Sequence, residues 1–278
     1  MPRNCCALAP VIMGPHPGSR SADFIKGNSL GMDASQAGLS LLFAKGRRPS
    51  ADDIERLLEA SEVAGAAAHV SYRPPDDREG LLELLVSGLT FDLVGLAGGK
   101  ALPAPARQHL FGLSGSESFG ELEAITLLPG HHLTGGHAMI PVIQAMLGLA
   151  GHIALPLDVA AVCWHPSQSW MEPQYFSRVA LGWLSGGPFP ALGLTALEHT
   201  AQGVQSVGLA FFSGQEILME RREGETPADT AKLAVRFIDY IVANGPFRRE
   251  LEFSGADGEV LRVVPSDFGK NVKVERDR

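Results

Sequence analysis

Val204-Gln-Ser-Val-Gly-Leu-Ala-Phe-Phe-Ser-Gly-Gln-Glu-Ile-Leu-Met-Glu220 reads as two short apolar runs broken at Ser213-Gly214. Runs of this length, bounded by turn formers, have the character of strands. Taking Val204 to Phe212 as one strand puts Val207, Leu209 and Phe211 on one face. Ser206, Gly208 and Ala210 fall on the other, a face that is flat apart from Phe212 at the end and suited to close approach of a helix. The uncharged helix expected at 138–153 is its natural partner. A strand pair with a helix laid on it points to layered α+β architecture.

The stretch closes a region almost free of charge. From Ala124 to Leu197 the only formal charges are Asp158, Glu172 and Arg178. Glu123 to Leu128 reads as a strand, followed by the loop Pro129-Gly-His-His-Leu-Thr-Gly-Gly-His137 with Thr134 as helix cap. The helix from about Ala138 to Ile153 is apolar nearly all round, which marks either a deeply buried helix or a membrane span. Pro141, Gln144 and His152 interrupt it and no aromatic belt flanks it, so burial is the reading taken. Asp158 to Trp164 has the continuous apolarity of a central strand. Pro173 to Leu184 is helical and stopped by Gly186-Gly187-Pro188, and Pro190 to Leu197 is extended. Thr226 caps the last helix, Pro227 opens it and Asn244-Gly245-Pro246 ends it. Phe247 to Phe253 and Glu259 to Val264 make a hairpin, with Val272 to Glu275 as an edge strand.

Towards the N-terminus, Leu39 to Ala44 is a strand, and Ser50 with Asp53 forms a capping-box variant at the next helix. Ala66 to Tyr72 follows as a strand. Leu81, Leu82, Leu84 and Leu85 suit a helix face, with a strand as the alternative, before a strand at 90–96. Gly98-Gly99-Lys100 lacks the spacing of a phosphate loop and is read as a turn. Pro103 to Gly112 is expected to form a short helix. The fold class expected is α+β, with mixed or antiparallel sheet layers and packed helices. The element order also allows two ferredoxin-like halves, with a sub-boundary near 100–120 inside a single domain at 36–278. Residues 1–35, rich in turn formers, are expected to be a flexible lead-in, and Met32 is an alternative start.

A net charge of −8 argues against a duplex nucleic-acid binder, which needs a basic face. Arg47-Arg48, Arg221-Arg222 and Arg248-Arg249 are read as solvated surface. Cys5, Cys6 and Cys163 make no disulfide framework and no zinc pair, which fits a reducing compartment. Arg3 before the run Cys5 to Met13 imitates a signal peptide, but Pro10 interrupts it and no cleavage site follows.

Three places could carry chemistry. His131, His132 and His137 could ligate a metal, with Glu216 completing the set, although no established spacing is present and a polar, glycine-rich loop entering a helix is the favoured reading. Trp164-His165-Pro-Ser-Gln-Ser-Trp170 lies past a buried strand, where two tryptophans could frame His165 in an aromatic pocket or serve simply as packing. Glu172 could orient His165 or open the next helix. Glu216 and Glu220 share one strand face and could do acid/base work or form a solvated sheet face. No Gly-x-Ser-x-Gly occurs, which argues against a serine-triad hydrolase.

The run Val162-Cys-Trp-His-Pro-Ser167, the segment Phe176 to Gly187, and Gly208-Leu-Ala-Phe-Phe-Ser-Gly-Gln-Glu216 resemble a bacterial family named domain of unknown function 4261. The resemblance covers residues 120 to 255. It implies a cytosolic bacterial α+β protein and brings no established activity or catalytic residues. The leading expectation is therefore a non-enzymatic binding or interaction protein without cofactor, whose partner is a protein or small molecule and neither nucleic acid nor membrane. The alternative is a metal-dependent hydrolase using His131, His132, His137 and Glu216.

Overall fold

The computed structural model describes residues 37–60, 68–114, 119–133, 135–254, 259–266 and 269–276. In chain order the elements are β1 (Leu39–Ala44), α1 (Ala51–Ala60), β2 (His69–Tyr72), β3 (Leu81–Val86), β4 (Leu89–Val94), β5 (Leu102–Pro103), β6 (His109–Phe111), β7 (Leu122–Pro129) and α2 (Ile140–Ala154). There follow β8 (Ala161–Trp164), β9 (Ser169–Met171), α3 (Pro173–Leu184), the kinked turn α4 (Ala191–Leu194), β10 (Ala196–His199), β11 (Gly203–Val207) and the single turn α5 (Ala210–Ser213). β12 (Glu216–Glu220), α6 (Pro227–Asn244), β13 (Leu251–Ser254), β14 (Val260–Pro265) and β15 (Asn271–Arg276) complete the chain.

The expected α+β class holds. Among the described residues β1 to β9 form one sheet in the order β2-β3-β4-β7-β1-β8-β9-β6, with β5 beside β7. β10 to β15 form a second, in the order β10-β11-β12-β15-β14-β13. The change of sheet therefore falls between Met171 and Ala196, and strands β5 and β6, at the expected sub-boundary, belong to the larger sheet. β1 sits between β7 and β8, so long-range antiparallel pairing ties the first half of the chain to its middle.

Alternation along β1 separates two cores. Leu39, Leu41 and Phe43 point into a large core that runs through both sheets to Val274. Leu42 points to the opposite face, where Ala124, Ala161, Cys163 and Trp170 lie under Leu102, Leu110 and Phe119. α2 packs on β7 and β4 and against α3, while α6 packs on β11 and β12. Nine α2 residues are buried, which explains its lack of a polar face. Among the described residues no helix is long and apolar enough to cross a membrane.

Where chemistry marks the ends, helices start and stop as expected. Ser50 N–H and Oγ donate to Asp53 Oδ2, and Asp53 N–H donates back to Ser50 Oγ at 3.2 Å. Thr226 accepts from Asp229 N–H with Pro227 behind it, and α6 stops at Gly245. Pro141 opens α2 instead of interrupting it, because the first turn does not need a proline N–H. Thr134, the expected cap, lies outside the described residues, as do the lead-in, Cys5 and Cys6.

Several expectations are corrected. Leu81–Val86 is a strand: Leu82, Leu84 and Val86 alternate into the core, and the two-residue turn Ser87-Gly88 has φ of 52° and 79°, the hairpin geometry. Residues 103–112 hold β5 and β6 instead of a helix, because Leu102 and Leu110 are needed over the back-face core. β15 is no edge strand but lies between β12 and β14, parallel to the former. Residues 191–194 form a kinked turn before β10.

The stretch that set the reading is corrected too. β11 ends at Val207, Gly208 adopts φ of 84°, and Ala210–Ser213 is helical, so no strand runs to Phe212. A Cβ at Gly208 would lie 2.8 Å from Ser167 Cβ and 3.1 Å from Pro166 O. The close approach at Gly208 is thus to the turn between β8 and β9, and not to α2.

Candidate functional site

Of the residues singled out from the sequence, Trp164, the His165 turn and Glu216 lie at or beside that contact, and they act there as structure. The turn His165–Gln168 joins β8 to β9, with Gln168 at φ of 50°. Ser167 is fully buried; its hydroxyl is 2.7 Å from Ser169 Oγ, and its Cα and Cβ lie against Gly208. Trp164 turns into the shared core, edge-on to Phe211 at 5.6 Å and stacked near Phe212, while His137 lies 6.1 Å from Phe211. Trp170 goes to the opposite face, near Phe119 and under the Arg107 guanidinium. The two tryptophans therefore frame no common pocket around His165.

Glu216 turns back onto the same corner. Its carboxylate accepts from Ser206 Oγ at 2.5 Å, Ala210 N–H at 3.0 Å and Leu209 N–H at 3.3 Å. It caps the bend that begins at Gly208. Burial pushes its pKa above the ordinary glutamate value, and the hydrogen bonds from Ser206 and the backbone amides only partly oppose this. Glu220 shares its strand face but pairs with Lys273 at 2.8 Å. Four residues of strand separate the two carboxylates by about 13 Å, too far to act on one reacting atom. Glu172 opens α3, accepting from Tyr175 N–H at 2.6 Å, and does not orient His165.

The sequence did not disclose a polar row on the back face. Thr126, Ser40 and Cys163 occupy one register line across β7, β1 and β8. Ser40 Oγ lies 2.8 Å from Thr126 Oγ1 and 2.9 Å from His165 Nε2. The serine–histidine distance would suit nucleophile activation. Ser40, however, is 1% exposed in mid-strand, leaving no room for an acyl group beside it. Burial pushes the Cys163 thiol up to about 12, which keeps it protonated and inert. The row acts as a hydrogen-bonded crosspiece that satisfies buried polar groups.

His131 and His132 are exposed on a 3-10 turn, with His132 Nδ1 3.2 Å from Thr90 Oγ1, while His137 leans on Phe211. Among the described residues no three His, Cys, Asp or Glu side chains are grouped to hold a metal, so the proposed set of His131, His132, His137 and Glu216 is not assembled.

Among the described residues a concavity lies elsewhere, between α1 and the loop from α2 to β8. It has a volume of about 500 Å³. Phe43, Pro49, Leu57, Pro156 and Leu157 give it apolar walls, and Arg47, Arg48, Arg56, Asp53 and Asp158 give it charge. The expectation of two solvated arginines at 47 and 48 holds for only one. Arg48 is largely buried: its Nε donates to Glu123 at 2.8 Å, and its Nη1 donates to the carbonyls of Gly95 and Leu96. That contact, with a hydrogen bond from Gly46 N–H, holds the Glu123 carboxyl below the ordinary range. Arg56 pairs with Asp53 at 2.5 Å. Arg47 is exposed, and among the described residues it makes no ion pair; the same is true of Asp158. No protein-family model, curated protein or solved structure matches this chain.

Proposed function

We propose that the chain is a non-enzymatic binding domain whose ligand sits in the groove between α1 and the α2–β8 loop. The observation that carries this reading is the groove itself. Its volume of about 500 Å³ falls within the range of small-molecule sites, and it combines apolar walls with a few convergent polar groups. The histidine loop, the His165 turn and Glu216 are engaged in packing and hydrogen bonding, which supports binding over chemistry at those positions. The resemblance of residues 120–255 to domain of unknown function 4261 and the cysteine usage support extending the proposal to a cytoplasmic bacterial protein.

A fragment screen by ligand-observed NMR tests it. Ala60 is exposed on the groove wall, so Ala60→Trp fills the groove without touching the core. Fragments that bind the wild type are expected to lose their signal with that variant. Hits indifferent to Ala60→Trp, or an absence of hits, would overturn the groove as the binding site.

A further inference from the structure

We infer that the groove's ligand is an apolar monocarboxylate whose carboxylate pairs with Arg47, an inference that rests on the groove being the binding site.

The loop that carries Arg47 is fixed before any ligand arrives. Arg47 N–H donates to Ala44 O at 2.9 Å, closing a turn in which Gly46 has φ of 75°. The start of β7 and the residue before it hold that turn: Lys45 N–H donates to Glu121 O at 3.0 Å, and Gly46 N–H donates to Glu123 Oε2 at 3.1 Å. Arg48 occupies the rest of Glu123 and is anchored to the carbonyls of Gly95, Leu96 and Gly99. With the neighbouring carboxylate occupied, Arg47 lines the groove, and among the described residues its guanidinium donors are unused.

Guanidinium donors match a planar carboxylate in a two-pronged pair. Arg48 is paired with Glu123 and Arg56 with Asp53, so Arg47 is the one lining cation without an ion pair among the described residues. One anionic group is therefore favoured. A second would meet Asp158, whose carboxylate has no cation among the described residues. The body of the ligand then lies along Phe43, Leu57, Pro49 and Leu157.

Isothermal titration and saturation-transfer NMR with octanoate, octanol, octylammonium and suberate test this on the wild type, Arg47→Ala, Arg47→Lys and Ala60→Trp. Octanoate is expected to bind best, and suberate to bind more weakly because of its second carboxylate. Arg47→Ala should weaken octanoate roughly ten-fold or more, with partial recovery in Arg47→Lys and little change for octanol. Raising salt should weaken octanoate and leave octanol unmoved. If octylammonium or suberate matches octanoate while Ala60→Trp still blocks binding, the ligand class is wrong and the groove stands. If all four probes ignore Ala60→Trp, or none binds, both inferences fall.

Discussion

Glu216 is held by donors from three sides and is still less acidic than a glutamate in water, because burial outweighs its hydrogen bonds. The sign of its pH effect follows. A raised folded-state pKa means that the folded chain favours the protonated form more than the unfolded chain does. That contribution to stability is full below the unfolded value of 4.5 and is lost as pH rises through the higher folded value. Glu216→Gln has nearly the same shape and cannot ionise. Urea denaturation of both proteins between about pH 4 and pH 7 should show the stability of the wild type, relative to the variant, falling as pH rises. A difference that stays flat or grows with pH would show that the amide donors, and not burial, dominate this carboxyl.

The bend after β11 is the element on which the β8–β9 turn rests, and two of its glycines separate the reasons for that. Gly208 and Gly214 both have left-handed backbone, with φ of 84° and 77°, but a Cβ at Gly214 meets nothing within 4 Å. Gly214→Ala should therefore cost only the left-handed strain of about 1–2 kcal/mol. Gly208→Ala should cost about 1–3 kcal/mol more, because the new carbon overpacks against Ser167. Chemical denaturation of both variants measures the gap, and equal losses would remove the packing contact from the account. The sequence disclosed α1, α3 and α6 because capping residues and prolines mark their ends within a few positions. It did not disclose β3, since the leucine spacing at 81, 82, 84 and 85 satisfies both the helical and the strand period. It missed the central place of β15 because that depends on a parallel partner more than fifty residues earlier. Glu216 could be picked out as a lone acid between apolar runs. Arg47 could not be told from Arg48, because the carboxylate that buries one of them is 75 residues away.

Across the molecule the two sheets share side chains rather than merely touching. The large core includes Leu39 and Phe91 from the first sheet and Met219, Val263 and Val274 from the second. Gln215, 4% exposed, accepts from Phe247 N–H and donates to Phe247 O and Gly269 O, tying the loop before β12 to the segments before β13 and β15. Arg276 pairs with Glu225 and Glu259, its side chain 6% exposed. Those polar ties lie within the second sheet and its connections, whereas separating the sheets would strip apolar cover from both, so neither sheet is expected to persist alone. The three tryptophans sample different parts of this arrangement: Trp164 in the shared core, Trp170 on the back face of the larger sheet, and Trp183 edge-on to Phe189. Phe189 in turn donates its N–H to Asp239 of α6 at 2.9 Å. Unfolding by urea should accordingly give one transition with the same midpoint by tryptophan fluorescence and far-UV circular dichroism. Gly208→Ala, placed at the contact between the sheets, should lower both midpoints by the same amount. Two separated transitions, or a variant that moves one probe and not the other, would mean that each sheet holds its own core.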